Sequence, residues 1–263
     1  MIGLLGDDFF GEVIRAQLVA EGVDVSHLGL DPSHPTGIAH IRLDPAGQNS
    51  IIVVPGANSA LSVGDVTRAA ALIEAASVLL VQLEIPLESV EAALGIARRA
   101  GTITMLNPAP AAELTDELLS KVDICVPNEL EAAMLTQLEV DDPLSAARAA
   151  AQLRGRGCGA VVVTLGSKGA VYVDRERTLE LAALDVPVVD TVAAGDAFCG
   201  ALASALANAV PIDAALARAT ATSALAVGVA GATSSLPRAE PVDELLTRLG
   251  PVPVRVMPRA VEP

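Results

Sequence analysis

Two carboxylates stand six positions apart in the segment VVDTVAAGDAFCGAL, residues 188–202. Asp190 and Asp196 flank a run of very small side chains, and an apolar pattern of helical periodicity follows at once. The pattern predicts an extended run at 184–190, a turn at 191–195 and a helix that Ala194, Gly195 and Asp196 begin. Unpaired backbone N–H groups at such a helix start favour an anion. Small residues let a phosphate approach those amides. A carboxylate beside them is placed to take a proton from a hydroxyl that attacks phosphorus.

The same segment also allows a purely structural interpretation. An aspartate in the first turn of a helix interacts favourably with the helix dipole, and alanine and glycine allow close packing. Spacing alone does not decide between a phosphoryl-transfer site and a stable helix start. The strands and helices predicted around the segment are therefore needed to choose between these two interpretations.

Four nearly continuous aliphatic runs precede this segment, as in strands of a parallel sheet that is covered on both faces. These runs are residues 77–83, 102–106, 122–126 and 159–165. Stretches with helical apolar spacing and Pro, Asn or Asp at their starts lie between them, at 86–101, 128–138 and 142–157. The alternation predicts an α/β fold with a doubly wound sheet and helices on both faces.

One segment departs from this alternation. Residues 36–56 contain two extended runs around a Pro-Ala-Gly-Gln-Asn turn, which predicts a β-hairpin that projects from the α/β body. The proline-containing stretch 250–263 predicts an edge strand followed by a tail. We predict a single domain over residues 1–263, with the hairpin at about 35–55.

Composition limits the possible partners and compartments. The formal net charge of −15 argues against a nucleic-acid surface, which needs clustered Lys and Arg. The N-terminal apolar run meets Gly6, Asp7 and Asp8 too early for a signal peptide or a membrane span. The three cysteines are isolated in sequence, so we interpret them as core thiols in a reducing compartment. These features predict a cytoplasmic protein that binds neither nucleic acid nor membrane.

Eight different polar or glycine-rich motifs follow one another along the chain. They are GLLGDDFFG (3–11), PTGIAHIRLD (35–44), PGANSALS (55–62), QLEIPLESV (82–90), LNPAPA (106–111), PNELEA (127–132), TLGSKGA (164–170) and DTVAAGDAFCGAL (190–202). Together they resemble the ribokinase-type members of the PfkB carbohydrate kinase family. The resemblance covers residues 1 to about 250 and implies a ribokinase-like fold with a small β lid, which the 35–55 hairpin would form in part.

The resemblance implies a sugar kinase that uses ATP. Asp196 would be the base that deprotonates the primary hydroxyl of a sugar, with D-ribose as the favoured substrate and ribose 5-phosphate as the product. The amides of Ala193, Ala194 and Gly195 would stabilise charge on the transferred phosphoryl group. Glu84 would hydrogen-bond the sugar hydroxyls. Another PfkB-type sugar or nucleoside kinase remains the alternative activity.

The resemblance also implies the nucleotide site and its magnesium ion. The residues that would contact ATP are Asn128, Thr164, Leu165, Gly166, Ser167, Lys168, Gly169, Gly195 and Thr220. Glu131 would organise Mg²⁺ and its waters, since hard oxygen ligands suit that ion. The structural alternative is a helix start capped by Asn128, with Glu129 and Glu131 in its first turn.

A monovalent cation site is the last implied feature. The residues that would surround K⁺ are Asp190, Val192, Ala226, Val229, Gly231 and Ser235. The two aspartates of the first segment would then have separate partners, because Asp190 would anchor K⁺ while Asp196 does the chemistry.

The chain departs from the family pattern at its beginning. Family members carry an Asn-x-Asp strand and a Gly-Gly-Lys-Gly-Ala-Asn motif before the Gly-Asp-Asp segment, whereas this sequence contains no Gly-Gly pair. The resemblance therefore implies that a strand–helix unit of about 30 residues is missing and that sugar contacts are reduced. Two hypotheses follow: an active sugar kinase, or a truncated, non-catalytic nucleotide-binding remnant. A homodimer through the lid is a further expectation.

Overall fold

The computed structural model describes residues 1–43, 49–250, 252 and 254–258. These residues form two compact units. The first contains residues 1–75 and 83–96, and the second contains residues 76–82 and 97–263. The single domain over 1–263 stays a prediction.

The first unit combines a small parallel sheet with an antiparallel hairpin. Its strands and helices are β1 (Ile2–Gly6), α1 (Phe9–Ala20), β2 (His27–Asp31), β3 (Ile38–Leu43), β4 (Asn49–Val54), α2 (Val63–Arg68), α3 (Ala70–Ala75) and residues 87–96 of α4 (Leu87–Ala100). A 3-10 turn, Gly56–Ala60, follows the hairpin. Strands β1 and β2 pair in parallel, and β3 pairs with β4 in antiparallel register, so the predicted hairpin is confirmed. Its predicted turn falls mainly on residues 44–48, outside the described residues.

The base of this hairpin is tied to the start of α1 by a small hydrogen-bond network. Asp8 caps α1, because its Oδ1 accepts from the Gly11 amide at 2.9 Å. The same carboxylate accepts the Thr36 amide at Oδ2 and the Thr36 hydroxyl at Oδ1, both at 2.7 Å. Thr36 is buried, and its hydroxyl oxygen accepts from the Gly6 amide at 3.0 Å. The backbone amides that donate to Asp8, chiefly that of Thr36 and then that of Gly11, lower the pKa of Asp8.

The second unit is built on a seven-stranded sheet. Its strands are β5 (Val78–Val81), β6 (Ile103–Leu106), β7 (Ile124–Cys125), β8 (Ala160–Thr164), β9 (Ala170–Val173), β10 (Thr178–Leu181) and β11 (Val254–Met257). Its helices are α5 (Asp116–Leu119), α6 (Glu129–Thr136), α7 (Pro143–Gly155), α8 (Ala194–Ala207), α9 (Ile212–Ala226) and α10 (Ala239–Leu249). The strand order is β11-β10-β9-β8-β7-β6-β5. Strands β5 to β8 are parallel, and β9, β10 and β11 each pair in antiparallel fashion.

Both faces of this sheet are covered by helices. Helices α8 and α9 bury one face around Val162, Tyr172 and Leu202. Helix α7 packs against β8 and β9 on the other face, and its Leu153 is fully buried. The core is aliphatic because few large aromatic residues are available, and burial of such side chains is the main stabilising term.

The predicted doubly wound α/β architecture is confirmed, with one local correction. Residues 184–190, predicted to be extended, form no strand; the Val189 and Asp190 amides instead bond the Val227 carbonyl, at 2.7 and 3.1 Å. The next helix begins at Ala194, where the sequence predicts a helix start. Along the described chain, no helix is long and apolar enough to cross a membrane.

We expect Thr36→Val to destabilise the first unit. Valine keeps the shape of threonine but leaves the Gly6 amide without its acceptor and removes a donor from Asp8. A buried polar group left unpaired costs about 1–3 kcal/mol, so the midpoint of urea unfolding should fall. Thr36→Ser keeps the hydroxyl and is the matched control. Equal midpoints for the valine and serine variants would contradict this role of the hydroxyl.

Candidate active site

Polar side chains follow the parallel strands of the second unit where these strands end. Gln82 comes directly after β5 and Asn107 directly after β6. Asn128 lies a few residues after β7 and forms a parallel bridge with Thr164, the last residue of β8. Carboxyl ends of neighbouring parallel strands meet at one edge of the sheet, where open α/β sheets bind ligands. These residues therefore mark the candidate active site.

The start of helix α8 also contributes to this site. Ala193 precedes the helix in the left-handed conformation, with φ of 61°, and no side chain caps the helix there. The Ala194 amide bonds the Thr191 carbonyl at 3.3 Å, and Ala193 accepts from the Ala197 amide at 2.8 Å. A Cβ added at Gly195 would meet no atom within 4 Å. The helix start therefore borders open space, as an anion site at its amides requires.

Asp196 lies in the first turn of α8 and is exposed. Its Oδ1 accepts a hydrogen bond from Nε2 of Gln82 at 3.3 Å, which is longer than usual and therefore weak. The structure thus places the predicted base beside the end of β5. Sequence reasoning had not assigned a role to Gln82 or to Asn107. The available signal was that each is a polar residue directly after an aliphatic strand.

Asn128 and Glu131 form a reciprocal cap at the start of α6. Asn128 Oδ1 accepts from the Glu131 amide, and Glu131 Oε2 accepts from the Asn128 amide, both at 2.8 Å. The structural alternative considered from sequence is thus present. Burial is the main cause that raises the pKa of Glu131 above its ordinary value. A half-buried carboxylate with only one oxygen used in the cap still suits a hard cation, so the magnesium role stays a prediction.

The predicted nucleotide loop is a tight turn between β8 and β9. Residues 166–168 form a 3-10 turn, and the Leu165 amide bonds the Gly169 carbonyl at 2.8 Å. Gly169 has φ of +90°, and a Cβ there would lie 2.0 Å from the Leu181 carbonyl oxygen, so this position requires glycine. Ser167 and Lys168 are exposed, and Lys168 Nζ donates to the Asp141 carbonyl.

Two other residues were predicted to contact the substrates, Thr220 the nucleotide and Glu84 the sugar. Thr220 is buried within α9, and its hydroxyl donates to the Leu216 carbonyl at 3.0 Å. Glu84 belongs to the first unit, in the segment before α4, and is exposed. Their roles toward nucleotide and sugar stay predictions.

The two segments of the predicted potassium site come together at Asp190. Its Oδ1 accepts the Val192 amide at 3.0 Å and its Oδ2 accepts the Gly231 amide at 2.9 Å. These hydrogen bonds, above all that from Gly231, lower the pKa of Asp190. Ala226 and Ser235 are buried, whereas Val229 is exposed. The carboxylate therefore bridges both loops, and the potassium role of these residues stays a prediction.

Other ionisable groups of the described residues offer no competing site. Among them, no group of three or more His, Cys, Asp or Glu side chains is arranged to hold a metal. Cys125, Cys158 and Cys199 are buried and free, as predicted. Burial raises the pKa of the Cys199 thiol to about 12, so it is a poor nucleophile at neutral pH.

Known proteins share sequence and fold with this chain. The pfkB family carbohydrate kinase profile matches residues 1–239. The chain is 39% identical to a ribokinase from Haemophilus influenzae over 245 residues, covering 93% of this chain and 80% of that protein. A deoxyribokinase from Salmonella typhi is 34% identical over 248 residues, covering 94% and 81% of the two chains. A structure of Arabidopsis thaliana ribokinase complexed with ribose and ATP has 32% identity and a TM-score of 0.85, covering 93% and 80%.

A doubly wound sheet with polar strand ends beside an open helix start is typical of an α/β protein that binds its ligand at the strand ends. The chain belongs to the pfkB family of carbohydrate kinases, and it is a sugar kinase.

We expect the Glu131→Gln variant to separate two effects of Glu131 on stability, its hydrogen bond in the helix cap and its partly buried charge. Glutamine can still accept from the Asn128 amide, so the cap persists. Because the folded-state pKa of Glu131 is raised, its contribution to stability is present below its unfolded pKa and is lost as pH rises through the folded value. The free energy of unfolding of wild type relative to Glu131→Gln should therefore fall as pH rises above the ordinary glutamate pKa of 4.5, as measured by urea unfolding over a pH series.

Glu129→Gln is the matched control, since it removes a charge from the same turn outside the cap. A wild-type advantage that grows with pH would show that burial does not dominate at Glu131.

Proposed function

We propose that this sugar kinase transfers the γ-phosphoryl group of ATP to the primary hydroxyl of D-ribose, giving ribose 5-phosphate and ADP. The observation that carries the proposal is the position of Asp196, in the first turn of α8 beside the end of β5. A ribokinase at 39% identity and a ribose- and ATP-bound ribokinase with the same fold support both substrates.

In the proposed reaction, the sugar hydroxyl oxygen forms a bond to the γ-phosphorus while the bond to the bridging oxygen of ADP breaks. Asp196 accepts the hydroxyl proton as negative charge moves onto the phosphoryl oxygens. The backbone N–H groups at Ala193 to Asp196 would stabilise that charge, because no side chain caps this helix start and a Cβ at Gly195 would meet no atom within 4 Å. Such positioning and electrostatic stabilisation account for most of the catalysis in phosphoryl transfer.

We propose that ATP lies along the ends of β7 and β8. Asn128, the 164–169 loop, Gly195 and Thr220 are the residues that would hold it. Glu131 would hold Mg²⁺ with its waters, and when bound this ion neutralises phosphate charge. The Glu131→Gln variant separates this role from capping, because it keeps the cap and removes the metal-binding charge.

One observation supports a second candidate sugar besides ribose. The deoxyribokinase relative covers 94% of this chain, so deoxyribose is the alternative acceptor. Steady-state kinetics with ribose, deoxyribose and fructose at fixed ATP would rank the three by kcat/KM. Glu84 is the proposed sugar contact, and a homodimer through the hairpin stays a prediction.

We expect Asp196→Asn to lower kcat by about 10²- to 10⁴-fold, the usual contribution of a positioned base. The affinity for ATP and the unfolding midpoint should change little, since asparagine is nearly isosteric. The matched control is Asp213→Asn, which removes a carboxylate from the first turn of the neighbouring helix α9. A kcat of the Asp196→Asn variant within a few-fold of wild type would remove Asp196 from the chemistry.

The potassium site has its own test. We expect turnover to rise when K⁺ replaces a bulky organic cation at constant ionic strength, because a bound cation would fix the loops that Asp190 joins. Asp190→Ala should abolish this response. Asp190→Asn keeps one acceptor oxygen, so it should preserve part of the contact between the loops while it weakens the response of turnover to K⁺. A wild-type rate that is the same in both salts would contradict the cation site.

A further inference from the structure

Two side-chain amides connect the proposed base to the ends of the neighbouring parallel strands. Nε2 of Gln82 donates to Oδ1 of Asp196 at 3.3 Å and lies 3.5 Å from Oδ1 of Asn107. Nδ2 of Asn107 in turn donates to the carbonyl oxygen of Val126 at 2.8 Å. Gln82, Asn107 and Val126 directly follow three neighbouring parallel strands, β5, β6 and β7. The contacts therefore run across the strand ends toward the start of α8.

This chain of contacts has a direction that the chemistry of the groups dictates. A carbonyl oxygen accepts only, so the Val126 carbonyl requires Asn107 to present its NH₂ group. The carbonyl oxygen of the Asn107 side chain then faces Gln82, which must present its own NH₂ group. Gln82 consequently offers a donor to Asp196. A reversed Gln82 amide would place an oxygen against the carboxylate, which is repulsive.

The arrangement suits a general base. Asp196 is exposed, so its carboxylate would otherwise sample several rotamers. A hydrogen bond to Oδ1 fixes one oxygen and leaves Oδ2 for the proton of the acceptor hydroxyl. The donor is a neutral amide and the bond is long, so one oxygen of the carboxylate is oriented by a single contact.

We propose that Gln82 is a positioning residue for Asp196, and that Asn107 sets the orientation of Gln82. This inference rests on the proposed role of Asp196 as the base. Orientation of reacting groups is a large part of the rate that an enzyme gains, and small misplacements of such groups lower kcat.

The test begins with Gln82→Met, which keeps the length of the side chain and removes the donor. We expect kcat to fall about 5- to 50-fold with the KM for ATP unchanged, since one orienting hydrogen bond is lost. Asn107→Leu should lower kcat less, because Gln82 remains but is no longer oriented. Gln152→Met is the matched control: Nε2 of Gln152 donates to the Thr136 carbonyl at 3.1 Å, away from the strand ends. Its kcat should stay at the wild-type value.

The pH dependence separates positioning from a merely structural role. Gln82→Glu places a second carboxylate beside Asp196 and disfavours its ionised form. The acid limb of the kcat profile should therefore move to higher pH in this variant, whereas the Gln82→Met profile should keep its shape. An unmoved acid limb in Gln82→Glu would contradict the contact between these two side chains during turnover.

A double-mutant cycle distinguishes failure of this inference from failure of the proposed function. If Asp196→Asn leaves kcat high, the proposed base is wrong. If Asp196→Asn lowers kcat and Gln82→Met lowers it further by the same factor as in wild type, the two residues act independently and the positioning role is wrong. We expect Gln82→Met to have little further effect in the Asp196→Asn background.

Discussion

Parallel strands leave unpaired backbone groups at their carboxyl ends, and the way this chain pairs them determines the rest of the site. The Asn107 amide bonds the Val81 carbonyl at 2.9 Å, and the Val126 amide bonds the Leu106 carbonyl at 2.8 Å. The ladder of the sheet therefore continues past the last residue of each strand. The Asn107 side chain adds a further bond, to the Val126 carbonyl. Because buried peptide groups are expensive to leave unpaired, this edge is rigid before any ligand arrives.

A rigid edge also fixes where helix α8 can begin. Val78 of β5 packs against the cluster that contains Leu202 and Cys199 of α8, so the helix axis is set by apolar contacts with the sheet. The turn before the helix then has to place its amides without a side-chain cap. Ala193 does so at φ of 61°, a conformation that costs a non-glycine residue about 1 kcal/mol. Such local strain is commonly retained where backbone groups serve a ligand, and the surrounding packing stabilises it.

Most of the sheet, the hairpin and the start of α8 could be predicted from sequence, because each depends on local periodicity or turn chemistry. The predicted run at 122–126 shortened to two paired residues, Ile124–Cys125, since register depends on neighbouring strands that one segment cannot specify. The extended run at 184–190 formed no strand for the same reason. The contact between Gln82 and Asp196 was not predictable, because it joins residues 114 positions apart through side chains.

The carboxylates of the candidate site differ in how strongly the fold uses them. Glu131 caps a helix, and Asp190 accepts backbone amides from two loops with both of its oxygens. For these two residues, loss of activity after truncation would mix a structural defect with loss of the proposed cation. Asp196 is exposed on an uncapped helix start, and its contact with Gln82 is a single long hydrogen bond from a neutral amide. In the proposed role Asp196 would accept and release a proton in each turnover, and a single contact at Oδ1 leaves its other oxygen available for that proton.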